Sequence, residues 1–211
     1  MIFDFKKEYR ELYLPKVKPV LVDVAKAAYI AVAGEGDPNK ENGSYQHALT
    51  VLYSLAYTLK MSYKTDYVIE HFYPYVVPPL EGLWWTEKGD FRVDGDKDAL
   101  HWISLLRLPE FIREEDFNWA KETAAKKKKI DCEKAFIYSF EEGLCAQMMH
   151  IGSYDEESKS MELLERFIDE MGYTADHNEK RHHHEIYLSD PRKTSREKLK
   201  TVLRVPVKKK K

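Results

Sequence analysis

Ten residues near the C-terminus, His182-His183-His184-Glu185-Ile186-Tyr187-Leu188-Ser189-Asp190-Pro191, hold the densest set of groups able to do chemistry. Side chains on a strand alternate between faces, so Glu185 and Tyr187 share one face with His183 and Ser189. Ile186 and Leu188 take the other. Pro191 ends the strand, because proline offers the ladder no N–H. A glutamate fits a strand interior poorly. Either Glu185 faces water on a half-exposed strand, or it lies on a pocket floor as a counter-ion to a cation or a general base for water. Tyr187 can stack on a flat ligand or donate its O–H to an oxygen gaining negative charge. The three histidines are expected to form an exposed run ahead of the strand. Only His182 and His184 fall on one face, Glu185 does not join them, and no second ligand cluster appears, so no metal is expected. No phosphate-binding glycine loop, Gly-x-Ser-x-Gly elbow or His-Glu-x-x-His motif occurs, and no cofactor is expected.

The elements that must position this strand follow from periodicity. Residues 3–14 suggest a short strap or helix ending at Pro15. Val17 to Ala33 reads as one long strand or a strand pair, closing at Gly34-Glu35-Gly36-Asp37-Pro38. Ala48, Leu52, Leu55 and Leu59 recur at helical spacing after Ser44. Leu80 to Thr86 and Leu100 to Leu108 are two strands joined across Gly89-Asp90 and Asp94-Gly95-Asp96. Arg113 to Lys129 is a linking helix, acidic in its first turn and with four lysines in its last, which complements the macrodipole. Phe136 to Ile151 is strand-like and closes at Gly152-Ser153-Tyr154-Asp155. A helix marked by Met161, Leu164, Ile168 and Met171 stops at Gly172. The Glu185 strand and a last strand, Leu199 to Val207, complete the chain.

Gly152-x-x-Asp155 repeats Gly34-x-x-Asp37 at an offset of 118 residues, and Leu203-Arg204-Val205-Pro206 echoes Leu106-Arg107-Leu108-Pro109. Two echoes in one order imply a duplicated strand–helix–strand–strand unit. The fold class expected is α+β, with lobes at 15–110 and 130–207 related by a pseudo-twofold. The two helices should cover one face and the opposite faces should form a central ligand trough. Leu80 to Thr86 then corresponds to the Glu185 strand, which brings Trp84 and Trp85 near Ile186 and Tyr187. Trp85 is the one favoured to face the trough. Trp85, Trp102, Met148, His150 and Tyr154 are the candidate walls, with Met148 and His150 on one strand face.

Composition narrows the class. With 211 residues and 43% hydrophobic content the chain can bury a large core, and its 13% aromatic content suits a site for flat apolar ligands. A net charge of −2 argues against a dedicated nucleic-acid binder. Lys126 to Lys129 and Lys208 to Lys211 read as a solvated helix end and tail. Cys132 and Cys145 lack a metal or redox spacing and suit a reduced, cytoplasmic setting. The N-terminus does not read as a signal peptide, and the longest apolar run is too short to span a bilayer. Tyr67 to Val77 is a dimer surface or a packed loop, so the chain is expected as a monomer or homodimer.

The repeated unit, His150-Ile151-Gly152-Ser153-Tyr154-Asp155 and the Glu185-to-Pro191 strand together resemble the GyrI-like small-molecule-binding domain superfamily. Pro78-Pro79-Leu80-Glu81-Gly82-Leu83-Trp84-Trp85 is similar to its stand-alone branch. The likeness runs from about Lys6 to Val207, one domain over 1–211 with 113–129 as the linking helix. The resemblance implies a two-lobed domain whose cleft takes planar, often cationic aromatic molecules, with an acidic residue at its centre that matches Glu185. Some stand-alone members are similar to cyclopropanoid hydrolases, which open the activated cyclopropane of DNA-alkylating toxins with a cleft Glu and aromatic side chains. By that analogy Glu185 guides water and Tyr187 or a tryptophan holds the arene. The alternatives are a non-catalytic module that sequesters drugs and a partner protein acting on gyrase.

Overall fold

Short polar-flanked aromatic stretches at the N-terminus become two one-turn helices, α1 (Phe5–Glu8) and α2 (Arg10–Tyr13). The run expected as one strand or two is a pair, β1 (Val20–Val24) and β2 (Ala27–Glu35). Helix α3 (Ser44–Lys60) follows, then β3 (Leu80–Trp85), β4 (His101–Arg107) and helix α4 (Glu114–Lys128). The second half has β5 (Ala135–Phe140), β6 (Gly143–Ile151), α5 (Glu157–Glu170), the short β7 (Tyr173–Ala175), β8 (His183–Tyr187) and β9 (Lys200–Lys209). This computed structural model describes residues 2–87 and 95–211. Gly89, Asp90 and Asp94 of the turn expected after β3 lie outside the described residues.

The strands form an antiparallel sheet in the order β1-β6-β9-β8-β3-β4-β2-β5, with β7 beside the far end of β9. This order is a palindrome about the β8–β3 pair: β6, α5, β8 and β9 on one side match β2, α3, β3 and β4 on the other. β1 does not pair with β2, nor β5 with β6. Each crosses to the other half, β1 onto β6 and β5 onto β2. Yet residues 25–26 alone link β1 to β2, and 141–142 alone link β5 to β6. A link that short spans only about 10 Å, so the sheet curls enough to bring the joined ends of β1 and β2, and of β5 and β6, within that distance.

Helices α3 and α5 lie on one face of the curled sheet. Leu52, Leu55 and Leu59 of α3 are fully buried against Ile30, Trp102 and Leu106, with Phe117, Ala120 and Ala124 of α4 packed behind them. Such burial stabilises by roughly 1.5–3 kcal/mol per leucine. Leu164 and Ile168 of α5 pack on Met148, Leu203 and Val205. Because each half carries one helix over its outer strands, the strip where β8 meets β3 is left uncovered between them. The cleft therefore lies on the helix-bearing face, not on the opposite face as the sequence suggested.

The opposite face is closed by α1 and α2, whose Phe5, Leu12 and Tyr13 pack with Tyr75, Ile186 and Val202. Beneath them runs a buried ionic network. His184 lies between Glu81 (Nε2–Oε2 3.0 Å) and Glu142 (Nδ1–Oε1 3.1 Å). Arg204 Nη1 donates to Glu142 at 2.9 Å, its Nε to Gln147 at 2.9 Å and its Nη2 to the Leu12 carbonyl at 3.0 Å. Tyr13 donates its O–H to Glu81 at 2.8 Å. Buried charges are tolerated when paired and hydrogen-bonded in this way. The histidine run is thus not exposed: His183 and His184 are buried inside the sheet and His182 stacks on Trp85 at 4.1 Å. The ion pairs and stacking ring that hold it come from distant segments.

Candidate functional site

Between α3 and α5, above the β8–β3 pair, lies an open cavity of about 1060 Å³. Its floor is the helix-facing side of these two strands. In their register Gly82 lies opposite Glu185, Trp84 opposite His183 and Leu80 opposite Tyr187. Opposed residues point to the same face of a sheet, so Trp84 joins Glu185 and Tyr187. Trp85 points the other way, between the rings of His101 and His182.

A chain of hydrogen bonds fixes the floor. Trp84 Nε1 donates to the Tyr187 hydroxyl at 3.0 Å, and that hydroxyl donates to Glu185 Oε2 at 2.7 Å. His183 Nε2 lies 3.2 Å from the other oxygen, Glu185 Oε1. Burial, followed by the Glu185 charge, raises the Tyr187 hydroxyl well above the usual tyrosine range. It remains protonated, a permanent donor to the carboxylate. Glu185 is only 5% exposed, so its charge is little screened by solvent.

The walls are aromatic. Tyr45 of α3 lies tilted over Trp84, with ring centroids 5.5 Å apart, and edge-on to Trp102 at 5.1 Å. Tyr154 meets Tyr187 edge-on at 5.9 Å. Tyr53 and Tyr57 continue along α3 to the mouth, where they are exposed. On the α5 side Glu157 also lines the cavity, 2% exposed, with its Oε1 bonded to nothing among the described residues. Burial first, and then the charge of Glu185, push the Glu157 carboxyl up to about 10, against a lowering hydrogen bond from Thr201. The Glu157 carboxyl thus keeps its proton at neutral pH.

Of the residues singled out in the sequence, Glu185, Tyr187 and Tyr154 come together here. Trp102 is on the right face but buried behind Tyr45, and Met148 packs beneath α5. His150 is held by Ser160 Oγ at 2.9 Å and the Ser153 carbonyl at 3.0 Å, outside the cavity lining. Trp85 gives way to Trp84. Tyr45 and Glu157 were missed. Glu157 carried a usable signal, since Glu157, Met161, Leu164 and Ile168 fall at the 4-3-4 spacing of one helix face.

The model of the GyrI-like small-molecule-binding domain matches residues 18–208. The chain belongs to the GyrI-like family. Three solved structures from Listeria innocua are similar to this GyrI-like protein over their whole length. One, a conserved protein without an assigned role, is 45% identical over 98% of this chain and 100% of its own, with a TM-score of 0.92. A second, called a hydrolase, is 43% identical over 98% and 100%, with a TM-score of 0.89. A third, a hydrolase encoded by lin2189, is 44% identical over 99% and 100%, with a TM-score of 0.90. No curated protein matches. Among the described residues no helix of this GyrI-like domain is long and apolar enough to cross a membrane.

Proposed function

We propose that this GyrI-like domain takes planar aromatic, often cationic small molecules into the cavity and hydrolyses electrophilic cyclopropanoid DNA-alkylating toxins there. The observation that carries this reading is a buried carboxylate, Glu185, held by two donors at the floor of an aromatic cavity of about 1060 Å³. Tyr45, Trp84 and Tyr187 offer flat faces to an arene, and Glu185 meets a positive charge or orients water toward a strained ring carbon. Ring strain supplies much of the driving force, so positioning and one base suffice. The name hydrolase carried by two relatives at 43% and 44% identity supports catalysis over simple capture. A pocket that only binds is the second reading. It is favoured by the hydrogen bonds that already engage both Glu185 oxygens.

A pair of dyes of similar shape, one cationic and one neutral, tests the counter-ion role by fluorescence titration. The cation should bind more tightly, by roughly 1–3 kcal/mol for an ion pair in a partly dry cleft. Glu185→Gln should erase that preference and leave the neutral dye bound; equal losses for both dyes would sink the role. Incubation with an activated cyclopropane, followed by mass spectrometry, separates catalysis from capture. Wild-type protein should add one water to the probe. Glu185→Gln should be slower by about 10²–10⁴-fold.

A further inference from the structure

Opening a cyclopropane fused to a cyclohexadienone needs two proton movements. The oxygen of water bonds to the ring methylene, the strained C–C bond breaks, and its electron pair runs through the dienone to the carbonyl oxygen. That oxygen must gain a proton to become a phenol, while the attacking water must lose one. Glu185 is placed to accept the second proton. The first needs a donor, and Tyr187 is committed: its O–H points to Glu185 Oε2 at 2.7 Å and its oxygen accepts from Trp84. His183 is turned to Glu185 Oε1 at 3.2 Å. Glu157 remains, on the opposite wall, buried, lining the cavity and with Oε1 free of any partner among the described residues.

We propose that Glu157 is the proton donor of this reaction, giving its carboxyl proton to the carbonyl oxygen of the substrate as Glu185 takes a proton from water. The proton on Glu185 then returns to Glu157 by way of solvent, and the site is restored. The groups facing Glu157 suit the task. Glu185 and Tyr187 approach from β8, Thr201 from β9, and Tyr154 and Asp155 from the turn before α5. Burial and the Glu185 charge hold the carboxyl up at about 10, so it carries its proton at neutral pH.

This inference rests on the hydrolase reading, and the test separates the two. The probe is a spirocyclopropyl cyclohexadienone and a series of it with electron-withdrawing ring substituents. Glu157→Gln should lower kcat by about 10²–10³-fold at neutral pH with KM changed only a few-fold. The loss should shrink along the series, because a stabilised phenolate leaves without acid help. Glu157→Asp, which keeps an acid, should retain more activity than Glu157→Gln. Neutral-dye binding reports whether each variant is folded. If Glu157→Gln does not fold, the wild-type series decides: proton donation makes kcat nearly insensitive to the substituents. A steep wild-type dependence, or a Glu157→Gln loss equal for every substrate, overturns the assignment of Glu157. Wild-type protein inert toward every probe overturns the hydrolase reading and this inference with it.

Discussion

Glu185 is one carboxylate with two engaged oxygens, and its neighbours decide what it can do. Tyr187 supplies both a flat ring and the shorter of its hydrogen bonds, at 2.7 Å. Tyr187→Phe separates these roles. The variant should lose roughly 1–3 kcal/mol of stability, since a buried charged acceptor loses its donor and Trp84 Nε1 loses its acceptor. Affinity for a neutral dye should hold within a few-fold, because the ring face survives. Urea unfolding and dye titration measure the two; an unchanged urea midpoint would mean that the bond contributes nothing. Glu185 and Tyr187 were legible in the sequence because strand parity alone puts them together. The choice between Trp84 and Trp85 was not, since β3 carries large apolar side chains on both faces and its register is set by its partners β8 and β4. Nor were Glu81, Glu142 and His184 legible as buried ions: a charge enters the interior only with partners, and here those come from β3, β8, β9 and the β5–β6 link.

At the scale of elements, two glycines let tryptophans lie flat on the sheet. A Cβ on Gly82 would meet Trp84 Nε1 at 2.6 Å, and one on Gly34 would meet the Trp102 ring at 2.4 Å. Gly82→Ala should push the indole off the Tyr187 hydroxyl, costing about 1–3 kcal/mol as overpacking does and weakening aromatic-dye binding. Wild-type melting and wild-type affinity in this variant would show that the indole is free to move. Behind the floor, the ionic network ties β3, β8 and β9 together and makes their stability depend on pH. Burial alone would raise the Glu142 carboxyl, but the charges of His184 and Arg204 outweigh it and hold it at about 2. For His184, burial acts downward, yet Glu142 lifts it from 6.5 to about 9. The Glu142 contribution is present above pH 4.5 and fades as pH falls toward 2. That of His184 is full below 6.5 and is lost as pH rises through about 9. Each limb is worth on the order of 3 kcal/mol, and since both describe one ion pair they do not add. Urea midpoints across pH should therefore decline on both sides, and His184→Gln should flatten the alkaline side; an alkaline decline unchanged in that variant would clear His184 of the effect.

For the whole molecule, the palindromic strand order has a consequence for folding. Gly34-x-x-Asp37 and Gly152-x-x-Asp155 led to the expectation of two like halves, but nothing local announced that β1 and β5 pair across the molecule, because such pairing is a long-range choice. Since β1 completes the sheet of the second half and β5 that of the first, each half alone leaves one edge of β2 or of β6 unpaired and its own β1 or β5 without a partner. The cavity is divided in the same way: Tyr45 and Trp84 come from the first half, Glu157, Glu185 and Tyr187 from the second. Fragments 1–129 and 130–211, cut between α4 and β5, should each be unfolded or aggregated alone, as exposed strand edges dictate. Made together, they should associate one to one and regain both the β-rich circular dichroism and dye binding. Size-exclusion chromatography and titration of the separate and mixed fragments measure this. A fragment that folds as a monomer and binds dye unaided would show that the exchanged strands are dispensable and that the cavity belongs to one half.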